Sequence, residues 1–324
     1  MQGNLKIWFA AGIGIILLLL FWLYSAASAI EPEGTLYMTL RELPGEANPV
    51  SIYAYDFETN DLINQSTDEG DYITNKYSPD GSKIAFGAYA VDGAKIYTVT
   101  NEFANVTPVA GPAGLLIARN PTWSPDGNLI AYQGKEDDIG DDLDVEQWMI
   151  FIANQKTGQY KFVTTGTSPM FGPNGELLVL KEDGVYLFPT SNIDWSNSDA
   201  GLEGDLVIGI EEGVGQANMK LGLSLNGSKL AWSVPDLETL YIYNISSWSP
   251  FSASLSNETQ TFGFWPVFSP DGKYLALIEV EYEEGFEEGF PSLVVFHTGS
   301  MQRKQILDLS QYEAEAMFLT DWRY

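Results

Sequence analysis

The residues in this chain best equipped for chemistry are its carboxylates. Two runs, GKEDDIGDDLDVE at 134–146 and EVEYEEGFEEG at 279–289, hold 13 of the 44 Asp and Glu residues. Carboxylates clustered on a flexible loop suit Ca²⁺, which takes about six to eight oxygen ligands. Asp138, Asp141, Asp142 and Asp144 are the candidate ligands, although their spacing does not follow the EF-hand loop. The plainer reading makes both runs solvated loops that keep the protein soluble, as runs of like charge usually do. The same abundance of Asp and Glu offers pairs for glycoside hydrolysis, which sequence alone leaves open.

Other catalytic groups are scarce. His297 is the one histidine and cysteine is absent. That excludes disulfides, thiolate metal sites, cysteine nucleophiles and multi-histidine metal sites. No Gly-x-Ser-x-Gly elbow exists to use His297 in a serine triad, and no glycine-rich loop opens a helix to cradle a phosphate. With 16 Lys and Arg the formal charge is −28, which argues against nucleic acid as a ligand. Cations and basic protein partners suit that balance better.

What must position these groups is a repeat. YSPDGSKIAF at 77–86 returns as WSPDGNLIAY at 123–132, FGPNGELLVL at 171–180, LSLNGSKLAW at 223–232 and FSPDGKYLAL at 268–277. The lead residues Tyr77, Trp123, Phe171, Leu223 and Phe268 lie 46, 48, 52 and 45 residues apart, a period that marks a repeat architecture. Each unit reads as a hairpin. The lead side chain closes one strand, and a tight turn follows at Pro79-Asp80-Gly81, Pro125-Asp126-Gly127, Pro173-Asn174-Gly175 and Pro270-Asp271-Gly272. The fourth copy keeps Asn226-Gly227 but has Leu225 where the others have Pro. Pro presets φ, Asp or Asn bonds its own backbone, and Gly supplies the positive φ. A catalytic or metal-binding role for Asp80, Asp126 and Asp271 is therefore the weaker reading. The residues after the turn, Lys83-Ile84-Ala85-Phe86 in the first copy, predict a half-buried strand of alternating character.

A sixth copy is split between the chain ends. Trp322 takes its lead position, Glu31-Pro32-Glu33-Gly34 its turn, and Thr35–Leu40 its next strand. A ring of blades closes in this way and leaves no open sheet edge. The expected fold is all-β: a six-bladed β-propeller over residues 31–324, its last blade closed by N- and C-terminal strands, preceded by one N-terminal apolar helix. The SPDG-plus-strand repeat resembles the TolB-type, WD-repeat-like β-propeller family, also seen in propeller domains of prolyl-oligopeptidase-like peptidases. That resemblance implies action through partner binding. It lacks the mixed α/β domain that precedes the TolB propeller and any hydrolase domain, so peptidase chemistry does not carry over.

Strand signals rich in Ile, Val and Tyr recur at 50–56, 95–100, 148–154, 185–190, 239–244 and 293–298, one per blade. They predict third strands, with outer strands near 157–163 and 300–307. With strands lettered A to D from the centre, the SPDG turns join A to B, while both acidic runs fall in B–C loops on the opposite face. Trp195 and Trp248 fall in predicted C–D loops, where packing over a neighbouring blade outweighs stacking on a sugar or peptide.

Residues 7–24, IWFAAGIGIILLLLFWLY, form an uncharged apolar run of 18, long enough to span a bilayer. Lys6 precedes it and Glu31 and Glu33 follow, so the positive-inside rule places the propeller outside the cytoplasm. Residues 1–30 are expected to be a retained signal anchor, with Ala27-Ser28-Ala29 as the cleavage site of the competing signal-peptide reading. The SPDG face would then look toward the membrane. The functional expectation is a membrane-anchored extracytoplasmic propeller without catalytic activity, a protein-interaction or envelope scaffold with no cofactor. Its binding surface would be the outward face or the mouth of the central channel. The alternative is a carbohydrate-binding or carbohydrate-cleaving propeller using acidic residues, with Ca²⁺ as a possible ion.

Overall fold

The computed structural model describes residues 30–43, 49–66, 72–90, 93–136, 148–209, 220–234, 237–281, 289–312 and 317–324. The apolar segment 7–24 and the candidate ligands Asp138, Asp141, Asp142 and Asp144 lie outside them. Among the described residues no helix is long and apolar enough to cross a membrane.

These residues form six antiparallel four-stranded sheets. The chain starts inside the last of them with β1 (Thr35–Leu40), β2 (Ser51–Asp56) and β3 (Leu62–Asn64). The first full blade is β4 (Ile73–Tyr77), β5 (Lys83–Ala90), β6 (Gly93–Thr100) and β7 (Thr107–Pro108). The second is β8 (Ile117–Trp123), β9 (Leu129–Lys135), β10 (Met149–Asn154) and β11 (Tyr160–Thr165), and the third is β12 (Thr167–Phe171), β13 (Leu177–Lys181), β14 (Gly184–Phe188) and β15 (Asp205–Gly209). The fourth is β16 (Lys220–Leu223), β17 (Lys229–Val234), β18 (Thr239–Trp248) and β19 (Phe251–Gln260). The fifth is β20 (Gly263–Phe268), β21 (Tyr274–Glu281), β22 (Phe290–His297) and β23 (Arg303–Asp308), and β24 (Phe318–Arg323) completes the blade begun by β1. The inner strands β24, β4, β8, β12, β16 and β20 pack on one another in that order and return to β24, so the ring is closed. β24 pairs with β1 in the register Thr35↔Arg323 and Leu36↔Trp322.

Six apolar clusters fill the six gaps between adjacent blades. A blade standing between two neighbours is buried on both faces, and this corrects the expectation of half-buried strands. Ile84 and Ala85 are adjacent in β5 and both wholly buried, yet Ile84 packs with Ile52 of the sixth blade and Ala85 with Ile130 of the second. Continuous apolar runs such as LLVL in β13 belong to sheets covered on both sides.

The acidic runs also need correcting. Gly134 and Lys135 belong to β9, and Glu279, Val280 and Glu281 to β21. Lys135 is fully buried, and Glu279 is 7% exposed and paired with Arg303 of β23. The outer strands near 157–163 and 300–307 start later than expected, at Tyr160 and Arg303. The fixed geometry of the preceding turns, as in Asn154–Gly158, takes up those residues.

The SPDG turns share one hydrogen-bond plan. In the first blade Asp80 Oδ1 accepts from the Ser78 hydroxyl at 2.6 Å and the Ser82 amide at 3.0 Å, while the Lys83 amide donates to Ser78 Oγ at 3.0 Å. Asp126 and Asp271 make the same contacts with Ser124 and Asn128, and with Ser269 and Lys273. In the fourth blade Asn226 does so with Ser224 and Ser228, at 2.9 and 3.0 Å, so Leu225 in place of Pro leaves the turn unchanged. Gly81, Gly127, Gly175, Gly227 and Gly272 all have φ between 66° and 94°, a region open to Gly without strain. The third blade has Gly172 in place of the serine, and its Asn174 amide bonds Glu176 instead.

These hydroxyl and amide donors hold Asp80 at a pKa of about 2 and lower that of Asp126, Ser78 and Ser124 being the largest causes. A carboxylate whose folded pKa lies below its unfolded value of about 3.9 contributes stability that is complete above that value and lost as pH falls through the folded one. Urea denaturation should therefore show stability falling between about pH 4 and pH 2. Asp80→Asn/Asp126→Asn should flatten that slope while keeping the neutral-pH fold, because Asn226 serves an identical turn. Asp126→Ala, which deletes the acceptor, should cost about 1 kcal/mol at pH 7.

Candidate functional site

Five of the six inner strands carry a local irregularity in their pairing with the next strand, in β4, β8, β12, β20 and β24. In the first four, the residue three before the lead position has positive φ: Thr74 (46°), Asn120 (54°), Ser168 (51°) and Trp265 (59°). In three of these blades proline follows at once, as Pro121, Pro169 and Pro266. A bulge bends its strand and re-aims the side chains beside it. Repeated around the ring, the bulges shape the wall of a central cavity of about 390 Å³.

The cavity belongs to the A–B turn end of the channel. Its lining runs from Thr74, Asn120, Ser168, Lys220 and Trp265 up to Pro79, Pro125, Pro173 and Leu225 in the turns. The rim is apolar, and Leu225 there is 80% exposed. The lining also carries three cations, Lys76, Lys220 and Arg323, and one carboxylate, Asp321, and Arg323 Nη2 reaches the rim, donating to the Ser78 carbonyl at 2.8 Å. Asp321 lies between two of the cations: Oδ1 is 3.3 Å from Lys76 Nζ, and Oδ2 accepts from Arg323 Nε at 2.8 Å. Lys76 also donates to the Thr320 carbonyl at 2.7 Å, tying the first blade to the sixth. The Arg323 guanidinium stands 4.8 Å over the Tyr77 ring, and Lys220 Nζ lies 4.9 Å from the ring of Trp265. Burial pushes the Tyr77 phenol above its ordinary pKa, so it stays neutral and able to donate.

Within this wall a chain of polar bonds joins neighbouring blades. The Asn120 amide donates to Thr74 Oγ1 at 2.7 Å, while Gln133 Oε1 accepts from Asn120 Nδ2 at 3.0 Å and from the Ser168 amide at 3.1 Å. Asn75 Oδ1 accepts from Thr320 Oγ1 at 3.2 Å. Asn75 Nδ2 and Gln133 Nε2 are buried donors with no hydrogen-bond partner among the described residues.

The residues singled out from sequence fall elsewhere or at the rim. Pro79, Pro125, Pro173 and Gly227 line the mouth, while Asp80, Asp126 and Asp271 are engaged in their turns. His297 ends β22 on an outer turn, where its Nδ1 meets Ser300. Among the described residues no group of three or more His, Cys, Asp or Glu could hold a metal ion. Trp248 packs on the turns of the third and fourth blades, its indole N–H donating to the Gly227 carbonyl at 2.9 Å, and Trp195 packs on the cluster of Phe171 and Phe188. Sequence reasoning missed the cavity wall. The one signal it had was the proline two residues before the lead position in three copies, since proline inside a strand marks an edge or a bulge.

Comparison with solved structures decides the architecture. TolB from Acinetobacter baumannii superposes over 93% of this chain and 69% of its own, with a TM-score of 0.59 and 18% identity. The fold is that of a TolB-like propeller. A putative TolB from Agrobacterium tumefaciens gives a TM-score of 0.52 at 13% identity, covering 85% of this chain and 89% of its own. A chain of a nidogen/laminin complex gives 0.60 at 11%, covering 88% and 97%. No family model matches the sequence, and no curated protein matches it either. At these identities the TolB-like propeller shares architecture with its neighbours, and its cavity has to be read from its own residues.

Proposed function

We propose that this TolB-like propeller is a membrane-anchored, extracytoplasmic protein-interaction scaffold that takes its partner at the mouth of the central cavity. The observation that carries the reading is the mouth itself: a ring of turn prolines and a strongly exposed Leu225 above a pre-formed cavity. Pre-formed concave sites with apolar walls and a few convergent polar groups are where ligands bind, and contiguous exposed apolar groups mark interaction surfaces. The carbohydrate reading asks for two carboxylates facing each other across the mouth. Among the described lining residues there is one, Asp321, already shared by Lys76 and Arg323.

With residues 7–24 in the bilayer, residues 25–29 reach at most ~20 Å before Ile30, which is buried against the propeller. The A–B turn face then lies near the membrane, and the partner is presented there. Crosslinking in solubilised membranes followed by pull-down tests this. Leu225→Asp should cut recovery of a stoichiometric partner at least tenfold, while neutralising the acids of 136–146 leaves it unchanged. The reverse pattern puts the interaction on the opposite face and sinks the reading.

A further inference from the structure

We infer that the cavity wall is a carboxylate site whose occupant is an extended partner segment bearing an Asp or Glu side chain; this rests on the partner-binding reading above and names what the partner inserts. The first ground is charge. In a chain with 44 acids against 16 bases, the described lining of the cavity inverts the balance, with Lys76 and Arg323 against Asp321. Asp321 offsets part of this, with one oxygen toward Lys76 and the other toward Arg323, and the wall stays cationic. The Lys76 and Arg323 side chains are 33% and 28% exposed, and charges partly withdrawn from water attract an anion more strongly than the same charges on the open surface.

The second ground is hydrogen bonding. Ammonium and guanidinium groups have donors and no acceptor. Asn75 adds another donor: it lines the cavity, is 3% exposed, and its Nδ2 lacks a partner among the described residues while its Oδ1 is engaged by Thr320. A buried donor left unsatisfied is costly. A carboxylate, an acceptor on both oxygens, complements both the amide and the cations. The apolar rim points to a peptide as the source of that carboxylate. Pro79, Pro125, Pro173 and Leu225 offer contact to residues flanking an inserted side chain, which a free acid would not reach.

The test uses the full chain in detergent micelles and the fluorescence anisotropy of a rhodamine-labelled peptide of alternating Ala and Glu. The Glu peptide should bind, its affinity should fall with salt, and the isosteric Ala/Gln peptide should bind at least tenfold more weakly. Lys76→Gln/Lys220→Gln, checked for an unchanged urea midpoint, should weaken the Glu peptide by a similar factor. Equal binding of the two peptides, no binding of the Glu peptide at millimolar concentration, or an unaffected double variant overturns the inference. So does displacement by glutarate or inorganic phosphate at the concentration of unlabelled peptide that displaces the probe, since a small anion would then suffice. If the crosslinked partner is lost on Leu225→Asp but kept by the lysine variant, the interaction reading survives and the carboxylate site does not.

Discussion

Trp322→Ala is expected to lower the unfolding free energy by about 4 kcal/mol, the range for a large aromatic removed from a packed core. The indole is 3% exposed, stacks on Phe57 with ring centroids 4.7 Å apart, and donates to the Glu33 carbonyl at 2.8 Å. It therefore joins the last strand of the chain to the first turn across almost the whole sequence. Gly34, with φ of 86°, sits against the Arg323 backbone at the same seam, where a Cβ would clash. The other described tryptophans pack within or between blades that the chain already holds together, and Trp322 secures the join between the two chain ends. Its loss leaves the Ile30, Leu36 and Leu319 cluster with a void and frees both β24 and β1, whose exposed edges invite association. Urea denaturation with light scattering measures both effects. A loss below about 1 kcal/mol with no added scattering would mean that closure contributes little.

The second large effect is expected at Glu279 and Arg303. Both Arg303 Nε and Nη2 donate to Glu279 Oε2, and the Thr261 hydroxyl donates to Oε1 at 2.5 Å. The Glu279 side chain is 9% exposed and that of Arg303 36%. Arg303→Met would leave a nearly buried carboxylate with one hydroxyl partner. Breaking a fully buried pair costs roughly 3–5 kcal/mol, and discounting for the partial exposure of the guanidinium brings this to about 2–3 kcal/mol. Replacing both residues, as Glu279→Met/Arg303→Met, should recover more than half of that loss, because it is the stranded charge that is expensive. A double-mutant cycle by urea denaturation checks it. Additive single losses would mean the two groups are not coupled.

Glu279 also marks where sequence reasoning stopped. Read in the string EVEYEEGFEEG it is one acid among six, and nothing local separates it from its neighbours. Its burial follows from β23 coming alongside β22, and from a cation some two dozen residues away. The turn residues are the opposite case. Ser78, Asp80, Gly81 and Ser82 bond within five residues of one another, so their geometry could be read directly, as could the substitution of Asn226 for Asp. The half-buried reading of Lys83–Phe86 failed for a definite reason: alternation in a strand distinguishes two faces, and here the faces meet different blades instead of core and water. Trp195 and Trp248, read as C–D residues that pack over a neighbouring blade, do pack in that way.

The amino-acid sequence by itself determined the repeat, the number of blades, the position of each A–B turn and the pairing of the chain's two ends. All of these rest on short-range turn chemistry or on a period that can be counted. Only the tertiary structure decided what those blades enclose. The cavity draws its wall from residues about 50 positions apart and aims them by backbone bulges, so Lys76 meets Asp321 and Asn75 meets Thr320 only once the ring has closed. Charge followed the same division. The net acidity is legible in composition, but the cations of the cavity wall are brought together by the closed ring, while most of the described acids stay at the surface.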